Sequence, residues 1–165
     1  MHRYYLSAIV DNREGVLARI SSLFTQRGFN IESITASETN LAAITRITIT
    51  TMGNKESMLQ MMKQTQKLEE VKTVFLLDAS KSLMRELLMI KVAADESNRS
   101  YLREIAEIYK AKIIDLSLES MVIELTGEPD KIDAFLKVLS PYQIIEMVRS
   151  GVNALERGPK SYEFN

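Results

Sequence analysis

The chain has 165 residues, room for one large domain or two small ones. Its 21 basic and 22 acidic residues nearly cancel, so it lacks the positive surplus of a protein that grips a phosphate backbone. With 45% hydrophobic residues it can bury a core, and without cysteine it has no disulfide, thiolate metal site or cysteine nucleophile.

In chain order, Tyr4 to Val10 is apolar and β-prone and reads as a strand. A polar turn, Asp11 to Glu14, and Gly15 follow. Val16, Leu17, Ile20, Leu23 and Phe24 then recur in steps of three and four, which is one helix face. Asp11 or Asn12 is the expected cap, since a short side-chain oxygen accepts from free amides, and Gly28 is the expected left-handed end. Phe29 to Thr35 and Ala43 to Met52 read as strands, the latter with Ile44, Ile47 and Ile49 set among Thr and Arg. Gly53-Asn54 marks a turn. Ser57 to Leu68 reads as a helix with Met58, Met61 and Met62 as core filler. Glu69-Glu70 reads as a solvated loop, and Val71 to Leu77 closes the unit as a strand.

The polar stretch from Asp78 to Arg85 reads as a linker, and the same order then returns. Leu87 to Ala94 is a strand and Ser97 to Lys110 a helix. Ile113 to Leu118 and Met121 to Thr126 are strands joined at Glu119-Ser120. Pro129 opens a helix carrying Ile132, Phe135, Leu136 and Leu139, and Ile144 to Val148 is the last strand. The fold class is therefore α+β, with two consecutive ferredoxin-like βαββαβ domains. The expected division is 1–78, a linker at 79–85, and 86–165 with a C-terminal tail. Open strand edges in such small sheets invite pairing with a second copy.

The sequence carries no catalytic constellation. The one histidine, His2, sits near a terminus, and one histidine without cysteine makes a poor transition-metal site. The six glycines form no phosphate loop. RNA-binding sheets of this topology need exposed aromatics on their central strands. The third strands here offer Thr, Ile and Arg in one unit and Val, Ile, Glu and Leu in the other. The run after Met1 is broken by Asp11 and is too short for a signal or membrane segment. The expectation is a cytoplasmic protein with no nucleic-acid or membrane partner.

A ligand signal lies in the first strand-to-helix turn. Gly15 removes a side chain where helix amides are free and the dipole favours an anion such as an amino-acid carboxylate. Asn12 adds an amide that donates or accepts, and Asn30 beside Ile31 gives a second polar group at the start of the next strand. These two loops lie at opposite ends of the first helix in this fold, so two subunits side by side are expected to complete one site. By spacing alone Gly15 and Gly28 serve equally as turn glycines, and both asparagines as caps. The matching turn of the second unit, Asp95-Glu96-Ser97-Asn98-Arg99, has no glycine, which suggests that the first unit senses and the second does something else.

The run Asp11-Asn12-Arg13-Glu14-Gly15-Val16-Leu17, with Arg19-Ile20, Leu23-Phe24 and Gln26-Arg27-Gly28-Phe29-Asn30-Ile31-Glu32-Ser33-Ile34, closely resembles the small regulatory subunit of acetolactate synthase (acetohydroxyacid synthase). Ile113-Ile114-Asp115, Glu124-Leu125-Thr126-Gly127, Lys131-Ile132-Asp133-Ala134-Phe135 and Glu146-Met147-Val148-Arg149-Ser150-Gly151, with Leu155 and Arg157-Gly158, are similar to its C-terminal domain. The resemblance covers nearly the whole chain. It implies an ACT-type first domain that binds a branched-chain amino acid, chiefly valine, for feedback inhibition, in a non-catalytic subunit that activates its partner. Asn12, Gly15, Val16, Leu17, Asn30 and Ile31 match the effector-site positions, and Val16 stands where relatives often carry Ala. It also implies a homodimer with the site at the subunit interface. The partner is a catalytic large subunit holding thiamine diphosphate, magnesium and FAD; none of these is expected on this chain. The other reading is a free-standing ACT-domain amino-acid sensor. The tail from Arg149 to Asn165, rich in Arg, Lys and Gly, is expected either to contact the large subunit or to form a solvated terminus.

Overall fold

A computed structural model describes residues 1–162; the last three residues of the tail lie outside the described residues. The chain forms two compact units, residues 1–83 with the segment that begins at Gly151, and residues 84–150. The first unit runs β1 (His2–Asp11), α1 (Val16–Gln26), β2 (Ile31–Glu38), β3 (Ile44–Gly53), α2 (Lys55–Gln66) and β4 (Val71–Leu76). Its antiparallel sheet has the order β2-β3-β1-β4. β1 and β3 pair without interruption from His2 opposite Gly53 to Asp11 opposite Ile44. β-branched residues at alternate positions set that register, because a slip of one residue would turn Ile47 and Ile49 out of the core. Leu6, Ala8 and Val10 meet Ile20 and Phe24 of α1 and Met58 of α2 in one buried cluster. Met58 and Met61 are fully buried as expected, and Asn54 caps α2 by accepting from the Ser57 amide at 2.8 Å.

The second unit runs β5 (Ser82–Ala93), α3 (Arg99–Ile108), β6 (Lys112–Leu116), β7 (Ser120–Gly127), α4 (Pro129–Val138) and β8 (Ile144–Arg149). Its strands lie in the order β6-β7-β5-β8. Leu88, Ile90, Leu102, Ile123, Ile132 and Phe135 centre its core. Both units thus have the βαββαβ order read from periodicity.

Three features differ from that reading. Ser82 to Arg85 open β5 instead of continuing a linker. β2 spans Ile31–Glu38, shifted from the expected Phe29 to Thr35, because Phe29 turns into the core against Phe24, ring centroids 6.1 Å apart. The third concerns the tail, expected within 86–165 as part of the second domain. Residues 151–162 belong instead to the first unit and include an additional strand, β9 (Asn153–Glu156). Within that unit the Arg157 amide donates to the Lys81 carbonyl at 2.9 Å.

This tail is a strap over the second face of the first sheet. Alternation turns Ser7, Ile9, Thr48 and Thr50 away from the two helices, yet all four are buried. Val152 and Ala154 of the strap are buried too, and the Tyr162 ring stacks on Phe75 of β4 with centroids 3.7 Å apart. A solvated terminus is therefore ruled out for residues 151–154. Gly151 has φ +83, and a Cβ there would lie 2.8 Å from the Thr35 hydroxyl. Gly151→Ala is expected to cost about 2 kcal/mol or more, from left-handed strain plus the displaced β2 side chain, read as a lowered denaturant midpoint.

Burial, and then the hydrogen bond to Glu156, push the Tyr162 hydroxyl up to about 12. The folded form therefore holds its proton more tightly than the unfolded form. The stabilisation is complete below pH 10 and is lost as pH rises toward 12. Wild type should accordingly lose strap protection in that window, and Tyr162→Phe, whose ring cannot ionise, should lose the part of the alkaline dependence due to this group; hydrogen exchange at residues 152–156 measures it.

Candidate functional site

The turn between β1 and α1 opens a concavity of about 260 Å³. Val10, Val16 and Ile47 are its apolar floor, Leu17 is one wall, and Ala36 to Glu38 of β2 are the other. It exists because β2 is an edge strand. The helices bury the central strands, whereas β2 stays half-buried or exposed along its length.

Gly15 is the N-cap of α1, with φ 82 and no side-chain cap bond. This corrects the expectation that Asp11 or Asn12 caps the helix. Both have other work: Asn12 Nδ2 donates to Glu38 Oε1 at 3.0 Å and to the Ala42 carbonyl at 2.9 Å, and Asp11 pairs with Lys72 at 3.0 Å and Arg13 at 3.4 Å. The first amides of α1 therefore keep no side-chain acceptor from the turn, and helix geometry gives them no carbonyl. A Cβ on Gly15 would meet only the far end of Arg19, 4.0 Å away, so glycine is required there for its φ and not for space.

Of the predicted site residues, the structure brings Asn12, Val16 and Leu17 to the concavity, with Gly15 at its helix start. Val16 is 3% exposed and belongs to the core, offering only its outer edge, while Leu17 is 43% exposed. Asn30 and Ile31 are not among the lining residues. Ile31 pairs opposite Thr51, and the Asn30 carbonyl accepts from Thr51 Oγ1 at 2.6 Å. Glu38, which lines the concavity, pairs opposite Thr45 at the other end of β2. Seven strand steps separate the two ends, about 23 Å. One chain therefore does not unite the two halves.

Sequence reasoning missed Glu38, Ser37 and Thr45, whose place depends on the β2–β3 register and carries no local signal. It also placed Glu70 in a solvated loop. Glu70 is 5% exposed, pairs with Arg19 of α1, and its carbonyl accepts from the Asp11 amide at 2.8 Å. It thereby fixes both sides of the turn.

The equivalent turn in the second unit closes on itself. The Ser97 amide donates to Asp95 Oδ1 at 2.8 Å, the Asp95 amide to Asn98 Oδ1 at 2.9 Å, and Asn98 Nδ2 to the Ala93 carbonyl at 3.1 Å. The Ser97 bonds hold the Asp95 carboxyl below its ordinary range. An Asx turn thus orders this loop before α3 begins, while the α3 N-cap, Asn98, likewise makes no side-chain cap bond.

Two family models divide the chain. An ACT domain like that of the acetohydroxyacid synthase small subunit matches residues 6–73, and the family described as the small subunit of acetolactate synthase matches residues 85–158. The acetolactate synthase small subunit of Mycobacterium leprae is 43% identical over 155 residues, covering 94% of this chain and 92% of that one. The chain belongs to the acetolactate synthase small-subunit family.

A probable small subunit from Methanothermobacter thermautotrophicus is 40% identical over 159 residues, covering 96% of this chain and 95% of that one. The crystal structure of the small subunit from Thermotoga maritima matches with a TM-score of 0.86 at 34% identity, covering 97% of this chain and all of that one. The first unit is thus the ACT domain of a small subunit, and membership in this family supports a regulatory, non-catalytic role. Among the described residues there is no group of three or more His, Asp or Glu placed to hold a metal, and no helix long and apolar enough to cross a membrane.

Proposed function

We propose that this small subunit binds a branched-chain amino acid, chiefly valine, at the β1–α1 concavity and transmits its presence to a catalytic large subunit as feedback inhibition. In the absence of effector it activates that subunit, in which thiamine diphosphate, magnesium and FAD reside. The observation that carries this reading is the open set of α1 amides beside an apolar floor and two acceptors.

The ligand carboxylate takes the α1 amides, where the helix dipole adds to the hydrogen bonds. The ammonium takes acceptors. Both Asn12 N–H groups are occupied, so this residue offers Oδ1, and Glu38 lies beside it. The aliphatic side chain covers Val16, Leu17 and Ile47. One or two charge-assisted bonds at roughly 1.5–3 kcal/mol each and a buried valine side chain at about 1.5–3 kcal/mol, less association costs, give millimolar to micromolar affinity.

The second half of the site comes from a second copy. β2 is an edge strand. Antiparallel pairing of two β2 strands about a twofold axis sets residue 31 of one near residue 38 of the other. That arrangement lays Asn30 and Ile31 of a second copy over Asn12 and Glu38, and it couples ligand binding to the dimer.

Asn30→Ala is expected to weaken valine binding roughly tenfold to a hundredfold, the value of one polar contact to a charged ligand. Calorimetry of the full chain measures it, and unchanged affinity would remove Asn30 from the site. The functional test is acetolactate formation by the large subunit with and without this chain, titrated with valine. A rate indifferent to the chain, or to valine in its presence, would overturn the proposal.

A further inference from the structure

A second cavity, of about 520 Å³, lies on the opposite face of the ACT sheet under the strap. Its walls include Ile9 and Arg46 of the sheet, Asn40 and Leu41 of the β2–β3 loop, and Leu155 and Lys160 of the strap. The size lies within the range of small-molecule sites.

Arg46 is the unusual group. Its Nε donates to the Ser7 hydroxyl at 3.1 Å, and its guanidinium lies 5.5 Å from the centre of the Phe75 ring. Its Nη2 is fully buried and has no hydrogen-bond partner among the described residues. Burial pushes this guanidinium down from its ordinary range, against Tyr162 and Glu156, which hold it up. Among the described residues Glu156 is the one acid in the wall, and it is occupied by Lys160 at 3.2 Å and by the Tyr162 hydroxyl. Among the described residues, two cations and one anion line the cavity, a balance of one positive charge. A buried charged donor without an acceptor is costly and is ordinarily matched by a ligand or an ion.

We propose that this cavity binds a small organic anion, its acid group (carboxylate or phosphate) seated on Arg46 and its short apolar body against Ile9, Leu41 and Leu155. Arg46 lines the cavity, and an acid oxygen there supplies the acceptor that its guanidinium lacks among the described residues. That balance of one positive charge favours a singly charged carboxylate over a doubly charged phosphate. The strap forms one wall, so the anion also holds the strap on the sheet. The site is separate from the amino-acid concavity and does not depend on the reading of that concavity.

The test uses the full chain with isovalerate as the carboxylate probe and inorganic phosphate as the second arm. The Arg46 Nε–Hε resonance, assigned from its loss in Arg46→Lys, reports binding. Isovalerate is expected to shift this resonance saturably with an affinity near ~1 mM, the strength of one charged contact plus a small apolar group. Saturation by phosphate alone would keep the anion site and assign its acid group as phosphate. Leu155→Trp alters an exposed strap position, leaves the fold intact and fills the cavity, and it should weaken binding roughly tenfold or more. The shift should persist in Asn30→Ala, which separates this site from the first one. No saturable shift with either probe, or equal binding in Leu155→Trp, overturns the proposal.

Discussion

Ending the chain at Ser150 is expected to destabilise the ACT domain by about 3–7 kcal/mol, although no residue of its βαββαβ core is removed. The strap buries Val152 and covers Ile9, each contributing roughly 1.5–3 kcal/mol. The stacked Phe75–Tyr162 pair adds about 0.5–1.5 kcal/mol. Without the strap, Ser7, Thr48 and Thr50 face water on a sheet whose second side is no longer covered. Such a loss is comparable to the whole stability of a small domain. Hydrogen exchange should show β1 and β3 losing protection while β7 keeps its own; equal protection of β1 and β3 in both chains would refute the role of the strap. One consequence concerns the large subunit. Loss of activation on truncation would report unfolding of the effector domain as readily as loss of a contact. Charge removal at the exposed Arg157 tests the contact without uncovering the sheet.

The second large effect belongs to Arg149, the last residue of β8. It donates to Glu86 through Nε at 3.1 Å and Nη2 at 2.5 Å, and to Asp133 of α4 through Nη1 at 2.8 Å. Desolvation alone would push its guanidinium down, but the hydrogen bonds to Glu86 and Asp133 outweigh it and hold it above the ordinary value. Glu86 is 4% exposed. Arg149→Leu leaves that carboxylate buried and unpaired, a loss of about 3 kcal/mol. The melting temperature of the second unit should fall by more than about 10 °C.

Arg149→Leu combined with Glu86→Gln should regain much of the loss. A double variant no more stable than the single one would mean that Arg149 acts through packing and not through Glu86.

Much of the architecture was legible because two periods carry it. Ile44, Ile47 and Ile49 set among polar residues mark β3, and Val16, Ile20 and Phe24 mark α1. The repetition of that order fixes two units. The bounds of β2 were less legible, because an edge strand of Ser, Thr and Glu has weak alternation. The cap of α1 was not legible either. Asp11 and Asn12 have the right chemistry for a cap, yet Lys72 and Glu38, distant in sequence, compete for them. Nor was the strap legible as part of the first unit. Its Val152 and Ala154 alternate like any short strand, and nothing local says which sheet they cover.

The β1–α1 turn shows where the two sources of information divide. Local sequence is enough to specify that a glycine-opened helix start follows an apolar strand in the first repeat and not in the second, because φ, capping chemistry and periodicity are local properties. What surrounds that turn depends on the folded chain. Register brings Glu38 and Thr45 to it, the Arg19–Glu70 pair fixes its flank, and strand length puts Asn30 and Ile31 at the far end of β2. The fold of residues 151–162 onto the sheet's second face is likewise settled in three dimensions. Burial of Ile9, Thr48 and Thr50 depends on a segment more than a hundred residues away in the chain, and no local pattern encodes contact at that separation.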